Sequence, residues 1–398
     1  MTGSLAGIAP RNQALAISIA VAFGVTLLLL PAASHGQDAK GAVSFTANES
    51  EEAVRAYWTP ERIRSAKPLE LHPRTDPGGS SRGHATVGTR KARSGAPPSV
   101  AAPASLGQPL LSPSDEEAEG KSAAVPFEQD TQADGYFTVS RVIPDAAVTL
   151  YPYRTVGKLL FTVQKSGILP PGDYTCSAAV IANRLVVTAG HCVASPSPSP
   201  SRRFVYTNIM FTPAFNKAAN PTAPFGTWTP SSQWVVYSWL ASAGTVPNSQ
   251  DVAILIVRDQ VPPGGKSSMK IGQVTGFLGW ETLALENGND ISELGYPCNL
   301  DYCARLDINT GGVSFYNGDN TWIMGSAFRG GSSGAPWIQD FGFRPKGAPG
   351  VPFGGNLVVA VNSYGPASNG LLYNGASQLD DRFARTFNAA CAAASGNC

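Results

Sequence analysis

From Arg141 to Cys398 the chain is a succession of short runs rich in Val, Ile, Tyr and Phe, separated by Gly, Pro, Asn and Ser. Runs of that length broken by turn residues favour strands, and many of them at even spacing favour an antiparallel sandwich or barrels. One set of candidate strands covers Val156 to Gln164, Thr175 to Ala182, Leu185 to Thr188, Arg203 to Phe211, Gln233 to Trp239 and Val252 to Val257. A second covers Phe277 to Leu285, Ile291 to Pro297, Ala304 to Ile308, Gly312 to Tyr316, Ala335 to Ile338 and Leu357 to Ser363. The 42 Gly and 32 Pro fit this reading, as does a charged fraction of 14% against the roughly 25% usual for soluble domains. Near the end, Leu379, Phe383, Phe387 and Cys391 form an i, i+4 stripe that starts beside Asp380 and Asp381, the signature of a C-terminal helix.

The N-terminal part is written differently. Ala14 to Leu30 is apolar, preceded by Arg11 and followed by Pro31, Ala32, Ala33 and Ser34, the three parts of a secretory signal peptide that ends at about residue 36. The competing reading is an uncleaved signal anchor, because such a run is near the lower limit for a membrane span. Residues 37–141 are rich in Pro, Ser, Gly and Ala, with a basic run (Arg82, Arg90, Lys91, Arg93) and an acidic one (Asp115, Glu116, Glu117, Glu119). Scarce apolar periodicity predicts a largely disordered pro-segment. Glu51 to Ile63, with its aromatics and helix formers, is the exception, and predicts a short docked helix.

Lys plus Arg (29) nearly cancels Asp plus Glu (28), which excludes a nucleic-acid protein built on bulk positive charge. All six cysteines, Cys176, Cys192, Cys298, Cys303, Cys391 and Cys398, lie in the C-terminal body. An even number behind an export signal reads as disulfides. Six cysteines permit 15 arrangements, and proximity favours Cys298 with Cys303 and Cys391 with Cys398. Structural zinc is disfavoured, because the body has one histidine and no Cys-x-x-Cys pair. No cofactor is expected.

That one histidine is His191, in Thr188-Ala189-Gly190-His191-Cys192, and it is the leading candidate for acid–base chemistry near neutral pH. Downstream, Gly330-Gly331-Ser332-Ser333-Gly334-Ala335-Pro336 places serines among glycines, where backbone N–H groups can face a developing oxyanion. Flanking apolar runs at Trp322-Ile323-Met324 and Trp337-Ile338 argue against a linker. Between the two motifs, Asp251 opens the apolar run Val252 to Val257, where a carboxylate can orient an imidazole; Asp301 and Asp307 are competing carboxylates.

The three motifs, in the order His, Asp, Ser, resemble the chymotrypsin-like serine peptidases over roughly Tyr151 to the C-terminus. Tyr151-Pro152-Tyr153 and Gly295-Tyr296-Pro297 are similar to the bacterial branch that contains glutamyl endopeptidases, and Tyr57 to Arg62 resembles a string in the pro-regions of such proteins. The resemblance implies an all-β fold of two six-stranded antiparallel β-barrels, over residues 142–265 and 266–398, with the site in the cleft between them. It implies His191, Asp251 and Ser333 as a triad, Gly331 and Ser333 N–H groups as oxyanion hole, and a disulfide between Cys176 and Cys192. Ala327, Phe328, Ser363, Tyr364 and Gly365 would contact substrate. The implied protein is a secreted, monomeric endopeptidase made as a zymogen, with a polypeptide substrate, an activating protease as a possible partner, and neither nucleic acid nor lasting membrane association.

The sequence departs from the family at informative points. Ser332 stands where many relatives carry the aspartate that pairs with a new N-terminus after activation. A cut after Arg141 would expose Val142-Ile143-Pro144. No histidine follows His191, and Asn362 or Ser363 occupies the region where glutamyl endopeptidases use one, so glutamate preference is unsupported. Ala327, six residues before Ser333, replaces the aspartate that attracts Lys or Arg, which favours a small or apolar residue before the scissile bond. Gly330 to Gly334 also fits a Gly-x-Ser-x-Gly elbow with Ser332 as nucleophile, but that fold needs a histidine after the serine. Cysteine catalysis at Cys192 lacks a partner histidine. The alternative from another class is a catalytically silent secreted binding or adhesion protein.

Overall fold

The computed structural model describes residues 41–76, 89–99, 136–219, 222–316, 320–342, 355–368 and 370–398, so the signal segment lies outside the described residues. Strands in chain order are β1 (Ala42–Thr46), β2 (Lys67–Pro68), β3 (Ala92–Arg93), β4 (Phe137–Arg141), β5 (Val156–Val163), β6 (Gly172–Val180) and β7 (Leu185–Thr188). The pair β8 (Ala194–Ser195) and β9 (Phe204–Val205), then β10 (Thr207–Pro213), β11 (Pro230–Val236) and β12 (Ala253–Val257) follow. The rest are β13 (Gly279–Glu281), β14 (Asp290–Gly295), β15 (Asp307–Tyr316), β16 (Thr321–Gly325), β17 (Pro336–Gln339), β18 (Leu357–Tyr364) and β19 (Tyr373–Gln378).

Six antiparallel strands in the order β11-β12-β7-β6-β5-β10 make the first barrel, and a bridge between Phe211 and Trp228 links β10 to the segment entering β11. The second barrel runs β17-β14-β15-β16-β19-β18 and closes on itself through β17–β18. Closure satisfies the backbone groups that an edge strand would leave open. Of the two six-stranded antiparallel barrels read from the sequence, the second is closed through β17–β18, and the first is a half-barrel of six antiparallel strands bridged at Phe211–Trp228.

Individual strands differ from the sequence reading, and the reasons are physical. Ala304 to Ile308 and Gly312 to Tyr316 were expected as two strands but form the single strand β15. Gly311 reads as a turn in sequence, yet a Cβ there would press on the Tyr136 carbonyl at 2.9 Å, so glycine is what lets β4 pair alongside. The run expected at Phe277 to Leu285 shrinks to β13, which lies outside the ring and pairs in parallel with β18. The ring is completed instead by β16 and β19. In β19 the apolar alternation is missing because Gly375 gives its side-chain space to the ring of Tyr364.

The described part of residues 37–141 goes beyond the expected short helix. Two helices, Glu51–Tyr57 and Pro60–Ser65, are capped by Ser50 and Thr59, whose side-chain oxygens accept from Ala53 and Arg62 N–H groups. Val54 and Trp58 are buried against Leu160 and Met210 on the outer face of the first barrel, and the Trp58 indole N–H donates to the Asn208 carbonyl at 2.6 Å. β1 extends the first sheet beside β11, β2 pairs with β6, β3 with β13 and β4 with β15. Leader-side residues are thus built into both sheets.

The C-terminal helix Asp381–Ala392 begins as the carboxylates predicted. Asp380 caps it by accepting from the Arg382 N–H at 2.8 Å, and Phe383 and Phe387 pack edge-on against Trp280. Disulfides join Cys176 to Cys192, Cys298 to Cys303 and Cys391 to Cys398.

Candidate active site

The site forms where a loop of the first barrel meets two strand ends of the second. His191 follows β7 in a single helical turn, Gly190–Cys192, tied back by the Cys176 disulfide to β6. Gly190 must be glycine, because a Cβ would stand 2.6 Å from Trp239 and 3.0 Å from the Asp251 carboxylate. Asp251 sits just before β12 and is fully buried. Its Oδ1 accepts from the His191 backbone N–H at 2.8 Å, while Oδ2 contacts His191 Nδ1 at 2.6 Å and accepts from Ser363 Oγ at 2.6 Å. A carboxylate at Nδ1 favours the tautomer with its proton on Nδ1, which leaves Nε2 as an acceptor. Nε2 is buried and has no hydrogen-bond partner among the described residues.

Ser333 and the glycines around it form a tight turn before β17. Gly331 and Gly334 have φ of 99° and 79°, conformations that favour glycine. At Gly334 a Cβ would collide with the Thr188 hydroxyl of the first barrel, so the two barrels meet there without a side chain between them. Behind the turn, Ser177 Oγ donates to the Gly331 carbonyl at 2.9 Å and accepts the Tyr296 N–H at 2.9 Å. The Cys298 N–H holds the Gly330 carbonyl at 2.9 Å. Ser332 turns away: its hydroxyl donates to the Arg329 carbonyl at 2.9 Å and accepts from Asn362 Nδ2 at 2.9 Å.

Two barrels with the imidazole and its carboxylate on one and the serine turn on the other make one arrangement. That two-barrel arrangement resembles the chymotrypsin-like fold that the sequence motifs imply. No protein-family model matches the chain, and no curated protein does. Among solved structures, protease Anisep from Arthrobacter nicotinovorans is 24% identical over 62% of this chain and 99% of its own, with a TM-score of 0.47. The thermostable serine protease AL20 from an extremophilic microorganism is 21% identical over 61% and 98%, with a TM-score of 0.47. A Glu endopeptidase is 18% identical over 65% and 97%, with a TM-score of 0.45.

On this two-barrel scaffold the remaining sequence-named residues flank the serine turn. Ala327 and Phe328 are buried just before the turn, Ser363 and Tyr364 end β18, and Gly365 follows it. Between these two walls lies Glu70, whose carboxylate accepts the Gly330 N–H at 3.0 Å and abuts Gly365. Burial pushes the Glu70 carboxyl above its ordinary value, against the charges of His72 and Arg329. Near Ala327, the fully buried Glu293 accepts from Ser326 Oγ at 3.1 Å and Asn374 Nδ2 at 2.9 Å, and burial raises it to about 8. The sequence reading missed Glu70, Ser177 and Glu293; none has a motif around it, and only the close approach of distant strands reveals them. Cys176, His191 and Cys192 place ligand-type atoms within 4.8 Å, but both sulfurs are tied in a disulfide and cannot act as thiolates.

The competing carboxylates have another task. Asp301 takes the fork of Arg141 at 2.7 and 2.8 Å. Burial opposes its charge, but the Arg141 contacts outweigh burial and hold it below the ordinary value. Asp307 is pushed up to about 9, first by burial and then by the Asp301 charge. A raised folded value means that its contribution is complete below pH about 4 and is lost as pH climbs towards 9. Asp307→Asn should therefore gain on wild type by about 4 kcal/mol between pH 5 and 8, at about 1.4 kcal/mol per pH unit, read from urea unfolding at several pH values. Parallel stability curves for the two proteins would show that the carboxyl is not held neutral.

Proposed function

We propose that this chain is a secreted serine endopeptidase, made as a zymogen, that cleaves polypeptides through an acyl-enzyme formed on Ser333. The observation that carries the reading is the fully buried Asp251, bound at once to Ser363 and to the backbone and ring of His191, in a loop whose Cys192 Sγ lies 3.8 Å from the carbonyl of Ser333 in the glycine turn. A carboxylate–imidazole contact this deep is costly to build and is common where an imidazole must keep one tautomer.

In the proposed reaction Ser333 Oγ attacks the substrate carbonyl carbon and passes its proton to His191 Nε2. The carbonyl electron pair moves to oxygen, which the Gly331 and Ser333 N–H groups stabilise. As the C–N bond breaks, Nε2 returns the proton to the leaving amine. Water, deprotonated by the same nitrogen, then hydrolyses the ester and frees Ser333. Ala327, with no carboxylate, gives no attraction for Lys or Arg before the scissile bond, so a small or apolar residue is expected there. Export is supported by the apolar run at residues 14–30 and by three disulfides. The proposed activating cut after Arg141 falls at the end of β4, where the Val142 N–H also binds the Leu306 carbonyl. This strand must peel from β15 before a protease can reach the bond.

The test is intact mass after treatment of the processed protein with an organofluorophosphonate, followed by peptide mapping. One adduct, on Ser333, is the expected result. No adduct on folded, processed protein would overturn the peptidase reading and leave a secreted binding protein on the same fold.

A further inference from the structure

The cleft is filled by the chain's own residues 67–72. Lys67 and Pro68 pair in parallel with Tyr174 and Thr175, and the Leu69 N–H donates to the Thr175 carbonyl at 3.2 Å. The Leu69 carbonyl accepts the Gly331 N–H at 3.0 Å and the Ser333 hydroxyl at 3.0 Å. Glu70 is held by Gly330 N–H between the two walls beside the serine turn. Leu71 forms a parallel bridge with Tyr364, and its carbonyl accepts the Gly365 N–H at 3.0 Å. Beyond it, His72 Nδ1 lies 2.8 Å from the Pro366 carbonyl, and Asp76 accepts from Tyr373 and from the Ala367 N–H at 2.7 Å.

The polarity of this strap decides its role. If Ser333 attacked the Leu69 carbonyl, the leaving group would be the Glu70 nitrogen, and His191 would have to protonate it. His191 stands in the loop bound to β6 by the Cys176–Cys192 disulfide, next to Thr175, and that wall faces Lys67, Pro68 and the Leu69 N–H. Glu70 and Leu71 lead to the opposite wall, at Gly330 and Tyr364. The nitrogen to be protonated thus runs away from the imidazole. A strand with its leaving amine on the histidine side must run the other way, antiparallel to Tyr364. The strap also takes the proton of Ser333 onto the Leu69 carbonyl, leaving His191 Nε2 without its partner.

We infer that residues 67–72 are a built-in inhibitor that keeps an already assembled site closed by lying in it backwards, so that latency comes from occupancy rather than from a deformed site. The inference rests on the peptidase reading. With the His191–Asp251 contacts formed and Gly331 N–H already on a carbonyl, no part of the site waits for a new N-terminus, and Ser332 offers no carboxylate to receive one. A cut after Arg141 does not by itself open the cleft; the strap has to leave.

The experiment compares the full chain with its Glu70→Ala/Leu71→Ala variant, and with Leu71→Ala alone in case the double change impairs folding. Two quantities are read: hydrogen exchange at the Gly331 and Gly365 amides, and the rate of fluorophosphonate labelling at Ser333. Weakening the strap should speed exchange at both amides and labelling at least tenfold, while prolonged incubation of the wild type yields no cut between Leu69 and Glu70. Unchanged exchange, or faster exchange with equal labelling rates, overturns the inhibitor. A Ser333-dependent cut at Leu69–Glu70 would overturn the reversed binding and make the strap a substrate. Freely exchanging amides with no labelling in any form would instead sink the peptidase reading, and the inhibitor with it.

Discussion

Ser333→Ala is expected to lower kcat on a peptide substrate about 10⁶-fold in the processed protein, with KM nearly unchanged. Its hydroxyl is the atom that would form the ester, and no nearby group replaces it: Ser332 Oγ is turned onto the Arg329 carbonyl and Asn362. Some rate above water should persist, roughly 10³-fold, because Gly331 N–H still polarises the carbonyl. The substitution removes one methyl-sized polar atom from a turn whose backbone contacts are made by other groups. The Ser333 carbonyl keeps the Ser177 N–H at 2.8 Å, and the Gly334 N–H keeps the Asn362 carbonyl at 2.7 Å. Thermal unfolding should therefore move little, which separates lost chemistry from lost fold. A fall of less than tenfold in kcat would rule out Ser333 as the nucleophile.

Asp251→Asn should cost about 10⁴ in kcat at neutral pH, by reversing the histidine tautomer. The present carboxylate accepts at both oxygens, from the His191 backbone N–H and from Nδ1–H. An amide has one oxygen. If that oxygen keeps the backbone N–H, its NH₂ faces Nδ1, which must then become an acceptor, and the proton moves to Nε2. A protonated Nε2 cannot take the proton of Ser333. Fluorophosphonate labelling should slow in parallel with peptide hydrolysis, and nuclear magnetic resonance of the ring nitrogens should show the proton on Nε2. Retention of near wild-type kcat would mean that the carboxylate only props the loop.

Much of the candidate site was legible because each proposed catalytic position has a local sequence signal. Thr188 to Cys192, Asp251 before an apolar strand, and the Gly-Ser turn each encode a backbone shape, and the only histidine of the body marks the proposed base. The barrel strands with branched, buried side chains, such as Leu185–Thr188, were also plain in sequence. Strands made of small or polar residues were not. Tyr373–Gln378 and the glycines of Asp307–Tyr316 carry no alternation, because their faces are filled by side chains from other strands.

The part before Arg141 shows the same limit more strongly. Its composition lacks the periodicity of a self-sufficient core, and of its two helices only the first buries a residue, Val54. What composition cannot express is that Val54 and Trp58 find Leu160 and Met210, or that Leu69 offers a carbonyl to Gly331 across 262 positions of sequence. The sequence by itself determined the strand-rich body, the order of the reactive side chains, and the shapes of the two glycine turns, since these follow from residue type and its immediate neighbours. Only the tertiary structure decided that Asp301 and Asp307 serve Arg141 instead of His191, how the walls beside the serine turn stand, and which way residues 67–72 run through the cleft. Those outcomes depend on how strands far apart in the chain are brought within hydrogen-bond reach, and local propensity carries no record of that distance.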